Sequence, residues 1–344
     1  VRALERGTGS AEGRTATMAE NRFWRDFSVP MRSLGFAVAV VAVAVLVLGA
    51  SRLWIGPNTA QAGFLTMLLL LGVARVPSWT SRLVAAAWSL AVAGLGFVVG
   101  SLGLWATLAA VVAVSLVQGL LKIGEVAILT RSPVNLLAFA TLSQGTAEAW
   151  HVILGALIGA GLVLGAAAFA PIRNREQPRA ASLRDRLDYG IATAIGAALI
   201  VLFAELTGFD YAGWMMLSFC VILAVSFDAQ FARAADRVAG SLAGVAATVA
   251  FGMLPAPIPV IAAVLCLVAS VAYIQAGKYR QFVLFLTPGI LLSTSSELPL
   301  WMLGVYRIEA VLIAAAFAVL CSAGLQLQRR RRAGTRTQPE SAAP

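Results

Sequence analysis

The sequence predicts an all-α polytopic membrane protein with about twelve transmembrane helices, built as two parallel six-helix repeats. Three observations lead there. Apolar runs of membrane-crossing length recur along the 344 residues, of which 60% are hydrophobic and 12% charged, and the mean hydropathy is +0.85. Cations collect in the gaps on one side of those runs. Landmarks of the first half return in the same order in the second. Helices are the default spanning form because hydrocarbon offers the backbone no hydrogen-bond partner.

The chain opens with a polar, Arg-rich segment, residues 1–30, read as a cytoplasmic tail with Met18 as a candidate start. The first repeat is expected over 31–171. Its runs fall at about 34–53 (nearly all Ala, Val and Leu), 59–75 (after Gly56-Pro57), 82–101, 104–121 (after Gly103), 126–144 and 150–170 (opened by Trp150). A helix needs roughly 20 apolar residues to cross the ~30 Å hydrocarbon layer. A polar linker, 172–187, carries Arg173, Arg175, Arg179, Arg184 and Arg186. The second repeat, 188–326, has runs at about 188–207, 211–227, 236–253, 257–276, 280–296 and 302–325. A basic tail, 327–344, follows and includes Arg329 to Arg332. Several runs are short, so ten spans with re-entrant pieces is the alternative count.

Charge orients the chain. An even count with the N-terminus inside leaves six external loops, and of the 26 cations only Arg52 falls in one. Arg75, Arg82, Lys122, Arg131, Arg233, Arg237, Lys278 and Arg280 lie on the other side, with the linker and both tails. That bias is the positive-inside pattern and places both termini in the cytoplasm of a bacterial inner membrane. It also accounts for the net charge of +10 without the basic soluble domain that nucleic-acid binding would need.

The two halves share landmarks at an offset of about 150 residues. Ala62-Gly63-Phe64 leads into a run ending before Arg82, and Ala212-Gly213-Trp214 into one ending before Arg237; Trp150 and Trp301 each open a sixth helix. Parallel repeats of this kind are a transporter design, with the solute path between halves.

Residues able to carry chemistry are few. Arg307 and Glu309 fall inside the last run and, two apart, point to different helix faces. Arg307 therefore seeks a carboxylate elsewhere or an anionic solute, which its planar fork suits. Intramembrane charges are costly and usually face a partner or a cavity. Asp236 and Arg237 are expected at the cytoplasmic start of the ninth span, with Asp228 ending the eighth. Glu205, Asp210 and the single histidine, His151, are possible proton carriers at external turns. Trp54, Trp105, Trp150, Trp214 and Trp301 read as an interfacial belt. Pro133 and Pro288 can break helices, and Thr287-Pro288-Gly289 can free carbonyls toward a cavity. Gly96/Gly100, Gly155/Gly159 and Gly240/Gly244 are small-xxx-small packing patterns. Cys220, Cys266 and Cys321 have neither paired nor CxxC spacing and read as packing residues. No phosphate loop, metal cluster or nucleophile–base set appears in the sequence, so neither enzymatic activity nor a cofactor or metal is expected.

The second half resembles the fusaric acid resistance protein-like family, which includes aromatic acid exporters. The residues that carry the resemblance run from Tyr189 to about Leu320. Gly213-Trp214-Met215-Met216-Leu217-Ser218 is similar to the family's Trp-x-x-Leu-Thr segment, with Ser for Thr. Arg237-Val-Ala-Gly240-Ser241-Leu-Ala-Gly244 resembles its Arg-x-x-Gly-Thr-x-x-Gly helix start, and Phe285-Leu-Thr287-Pro288 its Thr-Pro segment. Arg307-Ile-Glu309 resembles the opening of its last helix, although alanine replaces the glycine expected soon after. The first half matches as a degraded copy, retaining Phe64-Leu-Thr66 and Arg82. Many relatives carry a large cytoplasmic domain between halves, for which the linker is too short.

The resemblance implies an exporter of small, aromatic organic acids that confers resistance, and the proton gradient is the expected driving force because the sequence has no ATP-binding motif. Arg307 or Arg237 would hold the carboxylate, Trp214 would offer a ring face, and Glu309 or Asp236 would exchange protons. A passive organic-anion channel and a non-transport membrane scaffold are the alternatives. Expected partners are the acid, the bilayer and a second copy of the chain, with no nucleic acid. Single cysteines introduced in the linker and in the arginine tail are expected to react with an impermeant thiol reagent from the same, cytoplasmic side. Labelling from opposite sides overturns the layout.

Overall fold

Residues 27–73, 78–120, 131–143, 148–169, 182–224, 227–294 and 298–334 are described by the computed structural model of the chain, and they form twelve α-helices with no strand among them. In chain order these are α1 (Met31–Trp54), α2 (Pro57–Leu70), α3 (Trp79–Gly100), α4 (Leu104–Leu120), α5 (Ser132–Ser143) and α6 (Ala149–Phe169). They continue as α7 (Leu183–Thr207), α8 (Ala212–Leu223), α9 (Phe227–Gly252), α10 (Ile258–Gln275), α11 (Tyr279–Leu291) and α12 (Leu300–Gly334). The expectations placed on Met18, Arg75, Lys122, Arg173, Arg175, Arg179 and the side chains of Asp228 and Arg329 to Arg332 lie outside the described residues.

Every expected span has a helix, and among the described residues six are long and apolar enough to cross a membrane: α1, α3, α6, α7, α10 and α12 as far as Leu327. Within the runs expected at 126–144 and 211–227 the described helices are α5 and α8, of 12 residues each, while 126–130, 144 and 225–226 lie outside the described residues. At 1.5 Å per residue each covers only about 18 Å. At α8, hydropathy counted the turn residues Tyr211 and Ala224 as span. In contrast α9 starts at Phe227, earlier than the expected 236. Arg237 and Asp236 therefore sit in its middle rather than at its mouth. Arg82, counted among loop cations, lies in the first turn of α3 and is buried.

The helices group into two compact units. The larger comprises Ala42–Val238 and the chain from Met302, and it contains the main hydrophobic core. At its centre is α8. Residues Met215 to Cys220 are buried without interruption, as expected for a helix that is apolar on all sides. Gly196 of α7 makes room for the Phe219 ring, which a Cβ there would overlap. Helices α2 and α6 approach backbone to backbone, since a Cβ on Gly155 or Gly159 would collide with the carbonyls of Thr59 or Gly63. Small residues allow this in lipid, where dispersion and polar contacts rather than water exclusion hold helices together.

Polar pins supplement that packing. Trp88 Nε1 donates to Ser132 Oγ at 2.8 Å, the Ser132 amide donates to Gln118 Oε1 at 2.8 Å, and Gln118 Nε2 donates to Tyr189 Oη at 3.4 Å. The chain of bonds ties α3, α5, α4 and α7. Arg82 donates to the Ala167 carbonyl at 3.2 Å, in the last turn of α6, where the helix dipole favours a cation. Its guanidinium also lies 4.8 Å from the Trp79 ring centroid. Pro133 opens α5, a position where its missing N–H costs nothing.

The smaller unit comprises the chain up to Val41 and Ala239–Trp301. Here α10 packs on α11, and the α9 face bearing Gly240 and Gly244 lies against α11. Pro288 sits inside α11 without ending it. It removes the N–H that Leu284 O would accept from. That carbonyl lies against Gly244, where a Cβ would stand 2.8 Å from it. The freed carbonyl thus lies beside a glycine, and Leu284 also lines a cavity with Phe27, Gly240, Ala243 and Arg280. Tyr273 Oη and Lys278 Nζ donate to the carbonyls of Phe27 and Ser28, each at 2.8 Å, which fixes the segment before α1.

The α2–α6 contact is testable. Gly159→Leu places a branched side chain against backbone and is expected to cost about 1–3 kcal/mol or more, read as a lower unfolding temperature in detergent. Gly161→Leu on the same helix enters open space and leaves that temperature unchanged.

Candidate functional site: two buried arginines joined through one short helix

In the larger unit, α8 joins the two most buried cations. Its first turn carries Trp214 and the next turn Ser218. The Ser218 hydroxyl donates to the Trp214 carbonyl at 2.9 Å and accepts from Arg237 Nε at 3.0 Å. One hydroxyl thus returns its proton to its own helix and offers its lone pairs to a cation from α9. Arg237 is only 1% exposed. A buried guanidinium needs such partners, since a charge without them costs several kcal/mol.

The Trp214 side chain serves the other arginine. Arg307, on α12 and 2% exposed, places its guanidinium carbon 5.4 Å from the Trp214 ring centroid. That is within the ~6 Å reach of a cation–π contact, which strengthens as water is excluded. Arg237, Ser218, Trp214 and Arg307 therefore form one continuous chain of contacts.

Aromatic side chains extend it. Tyr211, the residue before α8, stacks on Trp214 with centroids 4.5 Å apart and planes 23° from parallel. It also stacks on Tyr306 of α12 at 5.1 Å and 29°. Phe209 meets Tyr211 and Tyr306 edge-on, each at 6.0 Å. The turn that delivers Phe209 and Tyr211 is set by Gly208, which ends α7 with φ 66°, a left-handed conformation that glycine adopts freely.

Of the residues singled out from the sequence, Arg237, Trp214 and Arg307 come together. Asp236 does not join them: it is half-buried on α9, while Glu309 is exposed on α12, turned from Arg307 as their spacing requires. Glu205 and Asp210 are exposed. His151 lies 3.9 Å from Glu148 and stacks beside the exposed Trp150 at the start of α6. Trp54, Trp105, Trp150 and Trp301 are all exposed, so Trp214 stands apart from the belt.

Sequence reading missed Phe209, Tyr211 and Tyr306. The available signal was proximity: Tyr306 precedes Arg307, and the other two flank the opening of α8. It also missed the buried carboxyl of Asp188 on α7 and the burial of Arg82, because both sit near span ends, where hydropathy cannot tell a loop charge from a helical one.

Residues 187–321 match the family described as fusaric acid resistance protein-like. The match takes in Trp214, Ser218, Arg237 and Arg307. No curated protein and no solved structure matches the chain.

Removing the Ser218 hydroxyl deprives Arg237 of an acceptor. Ser218→Ala is expected to lower stability by about 1–3 kcal/mol, measured by thermal or denaturant unfolding in detergent. Ser218→Thr keeps the hydroxyl and is expected to retain most of the stability.

Proposed function

We propose that this multi-pass helical membrane protein, fusaric acid resistance protein-like over its second half, exports small aromatic organic acids across a bacterial inner membrane, driven by the proton gradient. The observation that carries the reading is Arg307, buried in the larger unit with its guanidinium on the Trp214 ring. A carboxylate would pair with the guanidinium in a low-dielectric setting, where charge-assisted hydrogen bonds are strong. The aromatic faces beside it suit a flat apolar body. Arg237 would hold the α8 end of the site in place through Ser218. Glu309 and Asp236, each two or fewer residues from a buried arginine yet open to their surroundings, would exchange protons with the cargo.

We also infer the two-repeat plan, with both termini cytoplasmic. Supporting it, α3 and α9 each carry a buried arginine, Arg82 and Arg237. Each also packs glycine against the second helix after it: Gly96 against Leu136 of α5, and Gly240 and Gly244 against Val283 and Thr287 of α11.

Purified protein in proteoliposomes, with a labelled aromatic acid and an internal pH dye, tests the reading. Acid flux coupled to proton movement is expected. Arg307→Ala should weaken apparent affinity by about 10- to 100-fold, the loss of one charge-assisted contact, at unchanged membrane abundance. Full transport by the variant removes Arg307 from the site. Current without proton coupling replaces the exporter with a channel, and absence of flux for any acid tested leaves a scaffold.

A further inference from the structure

The aromatic cluster contains a ring-shaped slot that the protein fills with its own side chain. Trp214 and Tyr306 come from different helices, α8 and α12, and Tyr211 stacks on both of them, at 4.5 Å and 5.1 Å and within 30° of parallel. Those are separations of stacked aromatic pairs, so the space taken by Tyr211 is one ring thick. One wall of the slot, Trp214, also carries the Arg307 guanidinium at 5.4 Å.

Three features suit Tyr211 to leave that slot. It belongs to the short turn between α7 and α8 and is itself only half-buried. Its side chain makes no capping hydrogen bond to α8. Its backbone carbonyl is what holds the helix, accepting from the amides of Trp214 at 2.9 Å and Met215 at 3.3 Å. A χ1 rotation can therefore withdraw the ring while α8 stays anchored. The neighbouring Phe209 ring, edge-on to Tyr211 and Tyr306, fixes the back of the cluster.

We propose that Tyr211 is a displaceable plug: its ring occupies the stacking slot between Trp214 and Tyr306, and a planar carboxylic acid enters by taking its place. This rests on the site assigned above and adds the residue that sets its selectivity. The plug competes with cargo, so apparent affinity is reduced by the fraction of time the slot is closed. It also makes the slot selective for flat bodies, because a puckered ring of equal charge and similar size cannot lie flat against the Trp214 and Tyr306 rings as Tyr211 does.

Equilibrium binding of benzoate and of cyclohexanecarboxylate to the purified protein in nanodiscs tests this. Tyr211→Ala is expected to bind benzoate about five- to thirty-fold more tightly than wild type, with a smaller gain for cyclohexanecarboxylate. Tyr211→Phe keeps the stacking ring and should match wild type. Adding Tyr306→Ala to Tyr211→Ala removes a wall and should abolish the gain, while both variants remain monodisperse. Equal or weaker benzoate binding by Tyr211→Ala overturns the plug, making Tyr211 part of the wall or of the packing. An equal gain for the puckered acid overturns the slot. A tighter Tyr211→Ala whose binding is indifferent to Arg307→Ala supports the plug and removes the assigned role of Arg307. Absence of saturable benzoate binding in every protein removes both the plug and the site it rests on.

Discussion

A guanidinium inside a membrane protein has to be held by the protein, since hydrocarbon offers neither hydrogen-bond acceptors nor screening. That constraint organises the larger unit. Arg82 is carried to the carbonyl end of α6, Arg237 to a hydroxyl on α8, and Arg307 to an aromatic face on the same short helix. Each of these contacts uses a different partner type.

Helix α8 can serve two arginines because it is short, central and apolar on every side. With 12 residues it does not cross the hydrocarbon layer alone. Its interior residues are spent on packing, through Met215, Met216, Phe219 and Ile222. The first two turns are left to present one indole and one hydroxyl. Ser218 can accept from Arg237 only because its own proton is returned to Trp214 O one turn back, a bond that keeps the hydroxyl oriented without a further partner. The rigidity of the surrounding core then fixes where Trp214 can point, which matters more for recognition than the strength of any single contact.

Close helix approach is achieved twice by the same device in different chemical settings. In the larger unit glycines of α2 and α6 bring bare backbones together. In the smaller, Gly244 makes room for the Leu284 carbonyl that Pro288 leaves without its helical donor. Sequence reading assigned that freed carbonyl to a cavity. Leu284 does line a cavity in that unit, and its carbonyl lies close to Gly244.

Much of the architecture was legible in advance. Helical class, the order of the described helices and the glycine packing faces followed from run length, residue size and motif order, because a bilayer imposes one length scale and one hydrogen-bonding rule on any chain that crosses it. Span lengths were less legible: α8 begins and ends inside its expected run, and α9 grew toward its N-terminus, since hydropathy averages over turns and penalises charged helical residues. The partners of Arg237 and Arg307 were not legible at all. They lie 19 residues from Arg237, at Ser218, and roughly ninety from Arg307, at Trp214. Which buried cation meets which side chain is decided by how helices distant in sequence pack, and that geometry is not written in local periodicity. Composition determined that this protein lives among apolar helices and carries its cations inside them. Tertiary packing alone decided that two of those cations share one helix, and that a tyrosine ring fills the slot beside it.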